Sequence, residues 1–127
     1  MRTAINTISF KEGKLLLVKK KEVWILPGGK PNTDETDPAC LFREGQEELP
    51  EAQFFIQEKY KDFVGRTPHS GDLLTAKTYF AEVSGSVVPS GEISAADFVS
   101  RNKIGEFSLS EITSQIVESL IADKIFI

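Results

Sequence analysis

Apolar and polar positions divide this chain into short strand-like runs, one amphipathic helical stretch, further runs, and a closing helical stretch. From Ala4 to Phe10 the residues Ile5, Thr7 and Ser9 alternate with Asn6, Ile8 and Phe10, the period of two expected of a strand. Lys11-Glu12-Gly13-Lys14 then reads as a hairpin turn into Leu15-Leu16-Leu17-Val18, a run apolar enough to be buried on both faces. Val23 to Leu26 is a short strand that ends at Pro27 and a Gly28-Gly29 turn. Thr36 or Asp37 can cap the next segment, and Pro38 suits a first helical position, so a helix is expected from about Pro38 to Leu49, with Pro50 as its stop. Leu41, Phe42, Gly45 and Leu49 fall on one side of it.

Ala52 to Phe63 and Leu73 to Val83 read as further strands, joined by the turn-rich segment from Gly65 to Asp72, and Gly91 to Val99 as another. Ser108-Leu109-Ser110-Glu111 has the form of a capping box, serine at the cap and glutamate three residues on. The helix it opens carries Ile112, Ile116, Val117, Leu120 and Ile121 at helical spacing and should pack on the core. The element order implies an α/β fold, a mixed β-sheet flanked by helices. Residues 1–127 are expected to form a single domain, since no linker, repeat or low-complexity segment interrupts them.

The first helix changes the picture from fold to chemistry. Glu44, Glu47 and Glu48 stand at i, i+3 and i+4 and crowd onto one helical face. Like charges so placed repel by a few tenths (~0.2–0.5) of a kcal/mol per pair, and the single Arg43 cannot neutralise three carboxylates. A hard divalent cation can, and Mg²⁺, with Mn²⁺ as the alternative, prefers oxygen ligands of this kind. The helix reads as a metal platform. An acidic helical run is more commonly a solvated face, and what sets this one apart is its fixed relation to other residues.

Those relations are Gly29, five residues, Glu35, seven residues, Arg43-Glu44, then Glu47-Glu48. The stretch from Gly29 to Glu51 resembles the box of the Nudix hydrolase family, G-x5-E-x7-R-E-U-x-E-E-x-G-U with U aliphatic, as found in MutT-like members. Its glycine, glutamate and arginine anchors are matched up to the paired glutamates. Three softer positions depart: Gly45 for an aliphatic residue, Pro50 for glycine and Glu51 for an aliphatic residue. Trp24 to Lys30 also looks like the strand and turn that lead into the box. The resemblance implies a Nudix-type α/β/α sandwich.

It further implies metal-dependent hydrolysis of the diphosphate linkage in a nucleoside diphosphate linked to X. The products would be a nucleoside monophosphate and pyrophosphate or phosphorylated X. By similarity Glu44, Glu47 and Glu48 are metal ligands, with the carbonyl of Gly28 or Gly29 completing the shell, and Glu47 and Glu48 have catalytic roles. Arg43 is expected to orient a box carboxylate through its planar fork. Glu35 and Gly29 support the loop. The general base comes from the box or from Glu92, in the loop Val88-Pro89-Ser90-Gly91-Glu92. Lys19, Lys20 and Lys30 are candidates for substrate phosphates, and Trp24 is either a base-stacking residue or a core side chain. Arg66 to Asp72 is the candidate specificity loop. The alternative is a non-catalytic nucleotide-binding regulatory module.

Composition narrows the partners. The chain has 127 residues, 40% hydrophobic and 27% charged, and a net charge of −4. A negative balance argues against broad nucleic-acid binding but not against a small phosphorylated substrate, whose local charge partner is the cation. No run reaches the length of a membrane span and no signal-peptide pattern opens the chain, so no membrane partner is expected. The single Cys40 excludes an internal disulfide, and a cytoplasmic location is the default. His69, the only histidine, is read as a loop residue. A homodimer is compatible with all of this.

Overall fold

The computed structural model describes residues 2–67 and 70–127; His69 lies outside them. Among the described residues eight strands and two α-helices follow in the order β1 (Arg2–Ile8), β2 (Phe10–Lys11), β3 (Lys14–Lys20), β4 (Val23–Ile25), β5 (Gly28–Gly29), α1 (Asp37–Glu48), β6 (Ala52–Arg66), β7 (Leu73–Gly85), β8 (Ile93–Val99) and α2 (Glu111–Ala122). A mixed sheet runs β5-β1-β7-β6, in which β1 and β7 are parallel and the other neighbours antiparallel. A second, antiparallel sheet joins β2, β3 and β4, with β8 along the free side of β3.

The helices take opposite faces of the mixed sheet because successive side chains of a strand point to opposite sides. Ile5 on β1 and Tyr79 on β7 pack with Cys40 and Leu41 of α1. Ala4, Ile8, Leu74 and Ala76 instead join Ile112, Ile116, Val117 and Leu120 of α2. The sandwich expected from the sequence is present, with the small second sheet as an addition to it.

Four local readings are corrected. The strand expected over Ala4–Phe10 is two: β1 leaves the mixed sheet after Ile8, and Ser9 hands the chain to the second sheet, its carbonyl accepting from the Leu16 amide at 2.9 Å. The Gly28-Gly29 turn is a two-residue strand paired with Ile5 and Asn6. Phe42 is 70% exposed, since the buried stripe of α1 is Cys40, Leu41, Gly45 and Glu48. The second helix is capped by Ser110, which accepts from the Thr113 amide at 3.2 Å; Ser108 is drawn away, its carbonyl accepting from the Trp24 amide at 2.8 Å.

Other expectations hold. Leu15, Leu16, Leu17 and Val18 are fully buried. Glu12 and Gly13 both have positive φ, 53° and 77°, the backbone of a two-residue hairpin whose twist matches its strands. Thr36 caps α1 by accepting from the Ala39 amide, and Pro38 sits in the first turn. Gly45 faces Phe54 of β6: a Cβ added there would lie 3.3 Å from that ring, which fills the space an aliphatic helix residue would take. Among the described residues no helix is long and apolar enough to cross a membrane.

Candidate active site

A cleft of about 540 Å³ opens where α1, the β5 edge and β3 meet. Gly28, Gly29, Lys30, Arg43, Glu44, Glu47 and Glu48 line one end, with Lys20 and Glu92 beside them. Arg2, Arg66, Thr67, Ser70, Ser110 and Thr113 line the rest, over an apolar floor that includes Leu26, Leu74, Ile112 and Ile116.

Backbone geometry sets the β5 end. Asn6 donates its side-chain amide to the Leu26 carbonyl at 3.2 Å, and the Thr7 amide donates to Pro27 O at 2.9 Å, fastening the strand end to β1. Gly28 has φ 139°, and a Cβ there would run into the Ile5 carbonyl. Gly29 faces the Glu44 carboxylate so closely that a Cβ would come within 2.5 Å of its carbon. Two glycines thus let the strand edge approach the acidic helix face.

Glu48 is the most buried carboxylate of the cleft, 8% exposed, because it lies on the inward stripe of α1. Its Oε1 accepts from the Gly28 amide at 3.1 Å. Burial pushes its pKa up to about 8; the Gly28 hydrogen bond opposes the shift, while the neighbouring Glu44 adds to it. Desolvation also raises Glu44, against the pull of Arg43. Lys20 acts to lower both. A carboxylate held this far from water without a charged partner of its own is one that a cation would stabilise.

Arg43 organises the remainder. Its Nε and Nη2 donate to Oε2 and Oε1 of Glu35 at 3.0 and 2.9 Å, a bidentate fork. Nη1 reaches Glu44 at 2.7 Å and Glu47 at 3.4 Å, and Nη2 also donates to the Lys30 carbonyl at 2.9 Å. The fork holds Glu35 at a pKa of about 2, helped by the Asn32 amide, which donates at 2.9 Å. Cys40 is buried under this network, its thiol pushed up to about 11, chiefly by desolvation.

Glu92 reaches the cleft on a loop docked on the C-terminal end of α1, where the Ser90 amide donates to the Glu48 carbonyl at 2.9 Å. Its carboxylate meets Lys20 Nζ at 2.9 Å. Glu35, Glu44, Glu47, Glu48, Arg43, Gly28, Gly29, Lys30 and Glu92 are therefore brought to one place, and two expected residues are not. Lys19 shares the β3 face of Leu15 and Leu17 and is outside the cleft lining; Lys20, one residue on, is inside it. Trp24 packs edge-on against Phe107, ring centroids 5.0 Å apart, on the core side. Asn6 and Thr113, with Ser110 read from the sequence only as part of a helix cap, also line the cleft, and nothing in their spacing signals that they share it with the box.

The donor set suits a hard cation in kind: Glu48 is desolvated, Glu44 adjoins it, and Glu47 stands at the rim. Among the described residues no three His, Cys, Asp or Glu side chains already converge on a cation-sized point. Arg43 holds Glu44 and Glu47 in ion pairs, so ligation requires these two to rotate from it.

The family model described as NUDIX domain matches residues 1–120. No curated protein matches the chain. Among solved structures, the MutT protein from Methanosarcina mazei Go1 superposes with a TM-score of 0.83 at 22% identity, over 97% of this chain and 94% of that one. The solution structure of the E. coli ORF135 protein gives 0.81 at 21% identity, over 98% and 91%. An ADP-ribose pyrophosphatase from Streptococcus suis 89-1591 gives 0.74 at 21% identity, over 96% and 91%. At these identities the structural likeness is one of fold.

Proposed function

The chain belongs to the Nudix hydrolase family, and on that footing we propose that it hydrolyses the diphosphate linkage of a nucleoside diphosphate linked to X, with Mg²⁺ or Mn²⁺ bound. Nucleoside triphosphates are the simplest such substrates, and ADP-ribose, nucleotide sugars and dinucleoside polyphosphates are the others. Residues 1–127 act in this reading as one domain. The observation that carries it is the buried Glu48 carboxylate beside Glu44 at the wall of a cleft large enough for a nucleotide.

Glu44, Glu47 and Glu48 would hold the cation, with the Gly28 carbonyl as a further oxygen. When bound, the cation neutralises phosphoryl charge and lowers the pKa of a bound water. The chain's own residues do the rest. Arg43 fixes the rotamers of the acidic face through Glu35, which ties the loop ahead of α1 to the helix. Lys30 lines the phosphate end. Glu92, or Glu47 within the box, accepts the proton of the attacking water. Phosphoryl transfer asks mainly for such positioning and charge stabilisation, with no covalent nucleophile.

The test is release of phosphate or pyrophosphate from that substrate panel with Mg²⁺ and Mn²⁺, beside Glu48→Gln. Turnover that vanishes in the variant and with chelator supports the reading. Folded, metal-bound protein without turnover across the panel would replace it with a nucleotide-binding module.

A further inference from the structure

Lys20 Nζ and the Glu92 carboxylate, both in the lining of the cleft, form an ion pair at 2.9 Å that joins the end of β3 to the loop before β8. Lys20 ends β3 on the face of Leu16 and Val18, which packs with Leu49 at the C-terminal end of α1. There the ladder with β8 is irregular: Lys19 pairs with Ala95 and Lys20 with Ile93, so Ser94 is passed over. A bulge of this kind bends and twists the strands locally and re-aims the side chains beside it. Both partners are solvated, Lys20 at 33% and Glu92 at 78% side-chain exposure, so the pair is weak. A phosphate oxygen offers an ammonium a stronger, multiply charged acceptor.

Resting on the hydrolase reading above, we propose that Lys20 is a substrate-phosphate residue held by Glu92 in the free protein, and that the entering phosphate takes Lys20 from Glu92. Glu92 is thereby a competitor of the substrate as well as a wall of the cleft. No bond is made or broken in the exchange; one anion replaces another on the same ammonium. Lys20 is placed for this by its position at the acidic end of the cleft, where it is within electrostatic reach of both Glu44 and Glu48.

The experiment is a double-mutant cycle read by calorimetric titration of pyrophosphate with Mg²⁺ present, together with KM for the best nucleotide. Lys20→Met should weaken pyrophosphate binding and raise KM about 10-fold, with Lys20→Arg restoring both to within about 3-fold. Glu92→Gln should tighten pyrophosphate binding about 3-fold, and that gain should disappear in Lys20→Met/Glu92→Gln. Equal tightening by Glu92→Gln in both backgrounds would mean simple repulsion and overturn the exchange, as would unchanged binding in Lys20→Met. Wild-type protein that binds pyrophosphate in this pattern without turnover would remove the hydrolase reading and leave the exchange standing.

Discussion

Glu48 takes the Gly28 amide as its hydrogen-bond donor at 3.1 Å, so the acidic helix and the glycine strand edge meet through a carboxylate that burial pushes to a pKa of about 8. Its folded pKa lies above the ordinary value of 4.5. Below 4.5 the group is protonated folded or unfolded, and its own contribution to stability is greatest. As pH rises to about 8 the unfolded chain ionises first, and the metal-free protein loses stability. Melting temperature in chelator should fall across that window. Glu48→Gln, which keeps the acceptor without the charge, should flatten the curve and raise Tm above pH 8 by about 5 °C or more. A flat wild-type curve would count against the buried charge.

Added Mg²⁺ should reverse that loss. A ligand that binds only the folded state stabilises it by mass action, so Tm at pH 8 should rise with cation concentration in the wild type and not in Glu48→Gln. Parallel rises in both would place the cation elsewhere.

Arg43 is positioned to matter through shape as much as charge. Lysine cannot reproduce the fork on Glu35 or the reach to Glu44 at once. Arg43→Lys should cost about 10- to 100-fold in turnover while the fold persists. The Glu35 carboxyl should return from about 2 toward its ordinary 4.5, observable by NMR titration. A variant with normal activity would reduce Arg43 to a surface ion-pair residue.

Gly28→Ala tests the strand edge. Positive φ and the collision with Ile5 O predict a loss of about 2–4 kcal/mol, measurable as a drop in the urea midpoint. Gly105→Ala, where nothing lies within 4 Å of the added carbon, should change stability by less than about 0.5 kcal/mol.

Trp24→Phe should lower Tm through its lost contact with Phe107 and leave KM for nucleotides within about 2-fold, because the ring lies on the core side of its strand. A KM that rises tenfold would return Trp24 to the substrate.

The legible parts of this fold were those that local chemistry decides. Thr36 and Pro38 announce the start of α1, Glu12-Gly13 the hairpin, and the planar fork of Arg43 a bidentate contact with a carboxylate of the box, which the fold makes with Glu35. What failed was set by backbone pairings that the pattern of side chains does not show. Ser9 switches sheets because its carbonyl is taken by Leu16. Ser108 loses the cap to Ser110 because Trp24 recruits its carbonyl. Lys19 and Lys20 are adjacent and alike, and only the face that β3 turns to α1 separates them. The alternation from Leu15 onward shows that they oppose each other, but not which side holds the cleft.

The exchange at Gly45 ties two distant positions to one packing site. The side chain that the family pattern supplies from the helix comes here from the sheet, as Phe54. A side chain at Gly45 would press on the ring from 3.3 Å and require it to shift by a few tenths of an ångström, and trimming Phe54 would remove apolar contact from the same spot, so a change at either position is felt at the other. The two positions act as one unit: the glycine of the helix and the aromatic ring of the sheet share a single packing site.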